Sequence, residues 1–167
     1  ILTLKSPKYR TNNVVHSFDN GWKIVKIEDK GDLKLESRLM GTVTKKSDGT
    51  LYRESICVHQ YCEEIRKGDI IDYSLRDPSN WPWLNVGIQD NKVIEYKGRE
   101  PQSDGTQKGN VAPSKAHSKL FNEWLVTTKY DFINSNEWND HSADLTEGQK
   151  KLHAKDLMNQ NKIEEFI

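Results

Sequence analysis

The sequence predicts an α+β fold: an antiparallel sheet packed with helices on one face and followed by a helical C-terminal extension. Three observations predict it. Residues 69–99 hold three runs of alternating apolar and polar residues joined by two tight turns. A shorter pair of runs over 14–27 brackets Asp19-Asn20-Gly21, a hairpin signal. Apolar residues at helical spacing recur before, between and after these strands.

The 167 residues suffice for one ordinary domain with a real core. Charged residues make up 30%, hydrophobic ones 34%, and mean hydropathy is −0.86. That is polar, but five tryptophans and six tyrosines argue against wholesale disorder. Lys plus Arg and Asp plus Glu are both 25, so bulk charge gives no support to a general nucleic-acid binder, which would be basic. No apolar run is long enough for a membrane span, and no signal-like segment opens the chain. The first residue, Ile1, reads as the start of a processed, trimmed or partial chain. The two cysteines, Cys57 and Cys62, form no disulfide framework and suit a reducing compartment. The expected location is cytoplasmic or virion-associated.

Residues 1–13 read as a polar arm. Val14 to Phe18 and Trp22 to Ile27 form the N-terminal hairpin. Asp32 is the expected N-cap of a first helix with Leu33, Leu35, Leu39 and Met40 on its stripe and Gly41 at its end. Residues 42–52 read as a loop. A second helix is expected over 54–66, stopped by Lys67-Gly68.

The central meander follows. Its apolar face is Ile71, Tyr73, Leu75, Leu84, Val86, Ile88, Ile94 and Tyr96, which helices must cover. Its other face carries Ser74, Arg76, Trp83, Asn85, Gln89, Glu95 and Lys97, and reads as a candidate recognition surface. Pro82 lacks an amide donor, which places that strand end at an edge or a bulge. Residues 98–112 read as a flexible loop. Pro113-Ser114 opens a third helix, with Ala116, Leu120, Phe121, Trp124 and Leu125 on its stripe, the best cover for the sheet. Residues 131–167 form the C-terminal extension, whose sparse apolar stripe reads as a loosely attached polar helix or as one that docks on a partner or a neighbouring copy. No internal repeat stands out.

Chemistry-bearing patterns are few. Cys57-x-His59-x-x-Cys62 has the residue types of a zinc site, but Cys57 and His59 point about 200° apart on a helix. No second Cys/His pair exists, so no metal and no cofactor is expected. Cys57 is the one candidate nucleophile, and His16, His59, His117, His141 and His153 are the available bases, none in a diagnostic motif. Arg76 could take a phosphate or carboxylate bidentately, or balance Glu95 across the strands. The nominated binding residues are Ser74, Arg76, Trp83, Asn85, Lys97 and Arg99.

A family resemblance rests on quoted residues. Asp19-Asn20-Gly21-Trp22-Lys23-Ile24-Val25, then Asp32-Leu33, Glu36 and Met40-Gly41, are similar to the PcfJ-like family. So are Cys57-Val58, Tyr61, Gly68-Asp69 and the most specific stretch, Tyr73-Ser74-Leu75-Arg76-Asp77-Pro78. Val93-Ile94, Lys97-Gly98, Lys108-Gly109-Asn110 and Pro113 complete it, giving a PcfJ-like domain over 1–130 with matches across 14–130. The resemblance implies a setting, bacteriophages and conjugative plasmids, and no reaction. Ile56 stands where the family has a histidine, and Trp83 and Asn85 replace its histidine and threonine in the second meander strand. The resemblance therefore implies a non-enzymatic accessory protein that binds within a larger protein assembly. The rivals are a nucleic-acid binder using Trp83 and nearby Lys and Arg, and an enzyme using Cys57.

Overall fold

The computed structural model describes residues 6–54, 67–132 and 138. These hold β1 (Asn13–Ser17), β2 (Lys23–Ile27), α1 (Lys30–Leu39), β3 (Thr42–Lys45) and β4 (Leu51–Glu54). After them come β5 (Ile70–Arg76), β6 (Pro82–Gln89), β7 (Lys92–Pro101), β8 (Gln107–Val111) and α2 (Lys115–Leu125). All eight strands join one antiparallel sheet in the order β1-β2-β5-β6-β7-β8-β3-β4. Among the described residues the fold is therefore largely β, one eight-stranded sheet with two short helices, and the α+β expectation with a helical extension is corrected. The helix expected over 54–66 lies outside the described residues apart from Glu54, which ends β4. The extension lies outside them too, except Asp131, Phe132 and Trp138. Phe132 and Trp138 are fully buried with ring centres 4.6 Å apart.

Turn chemistry explains the extra strands. Residues 42–52 and 98–112, read as loops, are hairpins β3–β4 and β7–β8. Both turn on the same words, Ser47-Asp48-Gly49-Thr50 and Ser103-Asp104-Gly105-Thr106. In each, the aspartate Oδ1 accepts from the threonine amide and hydroxyl two residues on. In each the glycine takes a φ near +90°, at +87° and +89°. These bonds hold both exposed aspartates below the usual carboxylate range. Two like hairpins thus lie side by side, joined where Val43 pairs with Gln107, an internal repeat that short strands of polar residues concealed.

Helices cover both faces of the sheet, not one. α2 is capped by Ser114, whose hydroxyl accepts from the His117 amide. It lays Phe121 and Leu125 on Tyr73, Leu75, Leu84, Val86 and Tyr96, all 5% exposed or less. Each such side chain contributes about 1.5–3 kcal/mol by burial. Ala116, expected on this stripe, is exposed. α1 covers the opposite face, with Leu33 and Met40 on Ile27, Ile70 and Ile94. Its N-cap is Asp29, which accepts from the Asp32 amide, so Asp32 lies inside the first turn and is free for another bond.

Ile94 belongs to that second cluster because β7 is bulged. Gly87 faces Glu95 while Ile88 faces Val93, so Ile94 is the extra residue. Val93 and Tyr96, not Ile94 and Tyr96, face the α2 side. A second bulge sits at Pro82, where Arg76 pairs with Pro82 and Leu75 with Leu84. Asp90 and Asn91 both take positive φ, 51° and 61°, as a two-residue hairpin turn requires.

Gly109 lets β8 pass directly against the turn that leaves α1. A Cβ there would come within 2.6 Å of the Met40 carbonyl oxygen and the Thr42 nitrogen. Gly109→Ala is expected to lower stability by about 1–3 kcal/mol in chemical denaturation. A loss under about 0.5 kcal/mol, the range of ordinary surface changes, would show that the backbones do not touch.

Candidate functional site

Asp72, Ser74 and Arg76 alternate along β5 away from the apolar face, and Asn85 sits opposite Ser74 on β6. The sequence marks this as a solvated recognition face. The structure buries it: Asp72, Ser74, Arg76 and Asn85 are all 3% exposed or less. α1 crosses above, and the arm over 6–12 lies beside it.

The arm is anchored through Asp32, whose carboxylate accepts from the amides of Arg10 and Thr11 at 2.6 and 3.0 Å and from the Thr11 hydroxyl at 2.7 Å. That brings Tyr9 down so that its ring centre lies 3.4 Å from the Arg76 guanidinium carbon. The Tyr9 hydroxyl donates to Glu36 Oε2. The same oxygen lies 3.9 Å from Arg76 Nη2, and both side chains are fully buried. Arg76 Nη1 donates to Asn12 Oδ1 at 3.1 Å. Asn85 Nδ2 donates to Asp72 Oδ2 at 3.0 Å and to Glu36 Oε1 at 3.4 Å. Ser74 Oγ and Arg76 Nε and Nη2 have no hydrogen-bond partner among the described residues.

Burial sets the protonation of this layer. It raises the Asp72 carboxyl well above the ordinary aspartate value; the Asn85 bond opposes the rise, and Glu36 and Glu95 add to it. Burial, then the Glu36 charge, raises the Tyr9 phenol too, so it remains a donor.

Two other nominated residues meet at the end of β6. The Arg99 guanidinium carbon lies 3.9 Å from the Trp83 ring centre and 5.4 Å from that of Trp81. Arg99 donates to the Pro82 carbonyl at 2.6 Å and to Gln107 Oε1 at 3.0 Å. Burial pulls its pKa down to about 10. Trp83 Nε1 donates to Asp77 Oδ2 at 2.9 Å, and the indole lies 5.0 Å from the His117 ring, which lies 5.2 Å from Trp22. Burial and the Arg99 charge hold His117 below its ordinary value. Trp83 is thus engaged within the molecule rather than loose on it. Lys97 is half-buried on β7 opposite Asn85.

The nominated residues therefore fall into an Arg76–Ser74–Asn85 layer and a Trp83–Arg99 stack, with Lys97 beside the first. Sequence reasoning assigned no site role to Glu36, Tyr9, Asp72 or Gln107, and His117, named there as an available base, is a ring neighbour of Trp83 and Trp22. Glu36 left one signal: it shares the helical stripe of Leu33 and Met40, where a carboxylate is out of place. Cys57, His59 and Cys62 lie outside the described residues. Among those described, no three His, Cys, Asp or Glu side chains are grouped to hold a metal.

The molecule's outermost strands present a different surface. The large apolar side chains left exposed among the described residues are Val14 and Val15 on β1, at 42% and 38%, and Leu51 and Tyr52 on β4, at 52% and 48%. Among the described residues β1 and β4 are the two ends of the sheet. No family model, no curated protein and no solved structure matches the chain. Among the described residues no helix is long and apolar enough to cross a membrane.

Removing one partner of the Arg76–Glu36 pair leaves a buried charge alone. Glu36→Leu is expected to destabilise by about 3–5 kcal/mol, and adding Arg76→Met to recover much of it. Additive losses in the double-mutant cycle would show the two to be uncoupled.

Asp72 gives a pH signature. Its folded pKa lies above the unfolded one, so the folded state holds the extra proton and stability falls as pH rises from the ordinary aspartate value towards the raised one. Asp72→Asn removes that fall, so its stability relative to wild type should improve as pH rises above the ordinary aspartate value of about 4. A difference that stays constant with pH would mean Asp72 is ionised in the folded protein.

Proposed function

We propose that this is a non-enzymatic accessory protein of a bacteriophage or mobile element, acting by protein contact within a larger assembly. The observation that carries the reading is the placement of Val14, Val15, Leu51 and Tyr52 on the two outermost strands. Sheet edges offer backbone donors and acceptors to an incoming strand, and soluble proteins ordinarily guard them with charge, proline or bulges. Here β1 is bulged and β4 carries Arg53 and Glu54, yet both also expose large apolar side chains beside those guards. The setting comes from the PcfJ-like resemblance around Ser74-Leu75-Arg76-Asp77-Pro78. The polar residues that would serve a solvated site, Arg76, Asn85 and Ser74, are spent inside the molecule. The Trp83 indole, the platform a nucleic-acid reading needs, already carries Arg99.

The test is affinity capture from phage-infected or plasmid-bearing cells, with and without nuclease, using wild type and two edge variants, Val14→Lys/Val15→Lys and Leu51→Lys/Tyr52→Lys. Circular dichroism checks that each variant folds. A protein partner that survives nuclease and disappears with at least one edge variant supports the reading. Bound material that vanishes with nuclease, and binding that falls steeply with added salt, would replace it with nucleic-acid binding.

A further inference from the structure

The turn of the β1–β2 hairpin is tightly tied. The Phe18 amide donates to the Trp22 carbonyl at 2.8 Å, the Gly21 amide to the Phe18 carbonyl at 3.1 Å, and the Trp22 amide to Asn20 Oδ1 at 3.1 Å. His16 and Phe18, two residues apart, lie on the α2 side of the sheet with rings 4.6 Å apart edge to face. Between them and α2 opens a groove of about 440 Å³, with Phe18 and Leu120 as apolar lining and Asp19 and Glu123 as carboxylates. Phe18 and Leu120 pack on the main core, so this part of the wall is rigid. Asp19 and Glu123 are exposed and make no ion pair with a described residue, and among the described residues no lysine or arginine lines the groove. The groove adjoins the edge strand that exposes Val14 and Val15.

We propose that this groove receives a lysine or arginine side chain from an extended segment of another protein that adds to β1. The inference rests on the edge-binding reading above and names the partner's chemistry. A strand laid along β1 places alternate side chains on the α2 side of the sheet, in line with His16 and Phe18. An aliphatic stem there covers Phe18 and Leu120, and a cationic head meets Asp19 and Glu123. Apolar neighbours on the same segment cover Val14 and Val15. Backbone bonds supply sequence-tolerant attachment, and the acidic groove selects the basic residue.

The probe is a short labelled peptide of alternating valine and threonine with one central lysine, compared with the same peptide carrying glutamate there. Binding is followed by fluorescence anisotropy on the full chain. The lysine peptide should bind about three- to tenfold tighter. Asp19→Asn/Glu123→Gln should erase the difference while leaving attachment intact, and Val14→Lys/Val15→Lys should weaken both peptides. Equal binding of the two peptides, or a preference that survives Asp19→Asn/Glu123→Gln, overturns the groove proposal while the edge reading stands. Peptide binding indifferent to Val14→Lys/Val15→Lys overturns the groove proposal and the β1 half of the edge reading. Sedimentation showing a self-associated chain that dissociates with Asp19→Asn/Glu123→Gln would put a second copy in the groove and overturn the choice of occupant.

Discussion

One buried arginine organises the α1 side of this sheet. Arg76 ends β5 on the face where Asp72 and Ser74 also point, so no purely apolar helix could cover that face. The cover that works is α1, because its inward stripe carries Glu36 between Leu33 and Met40. Even so, a pair at 3.9 Å is loose, and desolvating two charges costs several kcal/mol. The Tyr9 ring on the guanidinium and the Tyr9 hydroxyl on Glu36 supply what the pair alone lacks. The arm is therefore part of the fold rather than an appendage, and Asp32 is the residue that ties it down. Buried ion pairs are weak sources of net stability. This one works better as a registry device, since a shift of α1 by one residue would take Glu36 away from Arg76.

The same layer holds the far half of the sheet in place. α1 starts after β2, second in strand order, and delivers the chain to β3, seventh in order. β3 meets β8 through one residue pair, too little to hold a hairpin by backbone bonds alone. Side chains complete the joint. Gln107 donates to the carbonyls of Leu39 and Gly41 while accepting from Arg99. Arg53 donates to the Arg38 carbonyl at the end of α1, where a cation also suits the helix dipole. The Trp83–Arg99 stack thus connects, through Gln107, to the helix end that positions the outer hairpins.

The meander was legible because Tyr73, Leu75, Leu84 and Val86 follow the period of a strand without interruption, and α2 because Phe121 and Leu125 keep helical spacing after a clear serine cap. What escaped has particular causes. A bulge breaks the period at Ile94, and alternation cannot register an extra residue. The β3–β4 and β7–β8 hairpins are short and polar, so Ser-Asp-Gly-Thr, a strong turn word, looked like the middle of a loop rather than the tip of a hairpin. The nominated polar face contained the right residues, but alternation tells which residues share a face and not what covers it. Burial of Arg76 depends on Tyr9 and Glu36, separated from it by 67 and 40 positions in the numbering, and no local pattern reports a contact at such range. The exposed apolar edges were hidden for the opposite reason: Val14 and Val15 look like ordinary strand residues, Leu51 and Tyr52 close a stretch that reads as a loop, and only the strand order makes them terminal.

The two ends of the sheet are not equivalent. β1 is bulged between Val14 and His16, which twists an edge and discourages indiscriminate pairing. β4 is regular against β3 through all four of its residues. An edge with a bulge accepts a strand only in a register that accommodates the extra residue, so β1 is the more selective end. On the proposed binding, the neighbouring groove would add to that selectivity, because its carboxylates lie beside Phe18 and Leu120, on surface joined to the core. Backbone pairing alone cannot distinguish one extended segment from another. A bulged edge next to an acidic, apolar-lined groove can, by joining a register requirement to a charge requirement.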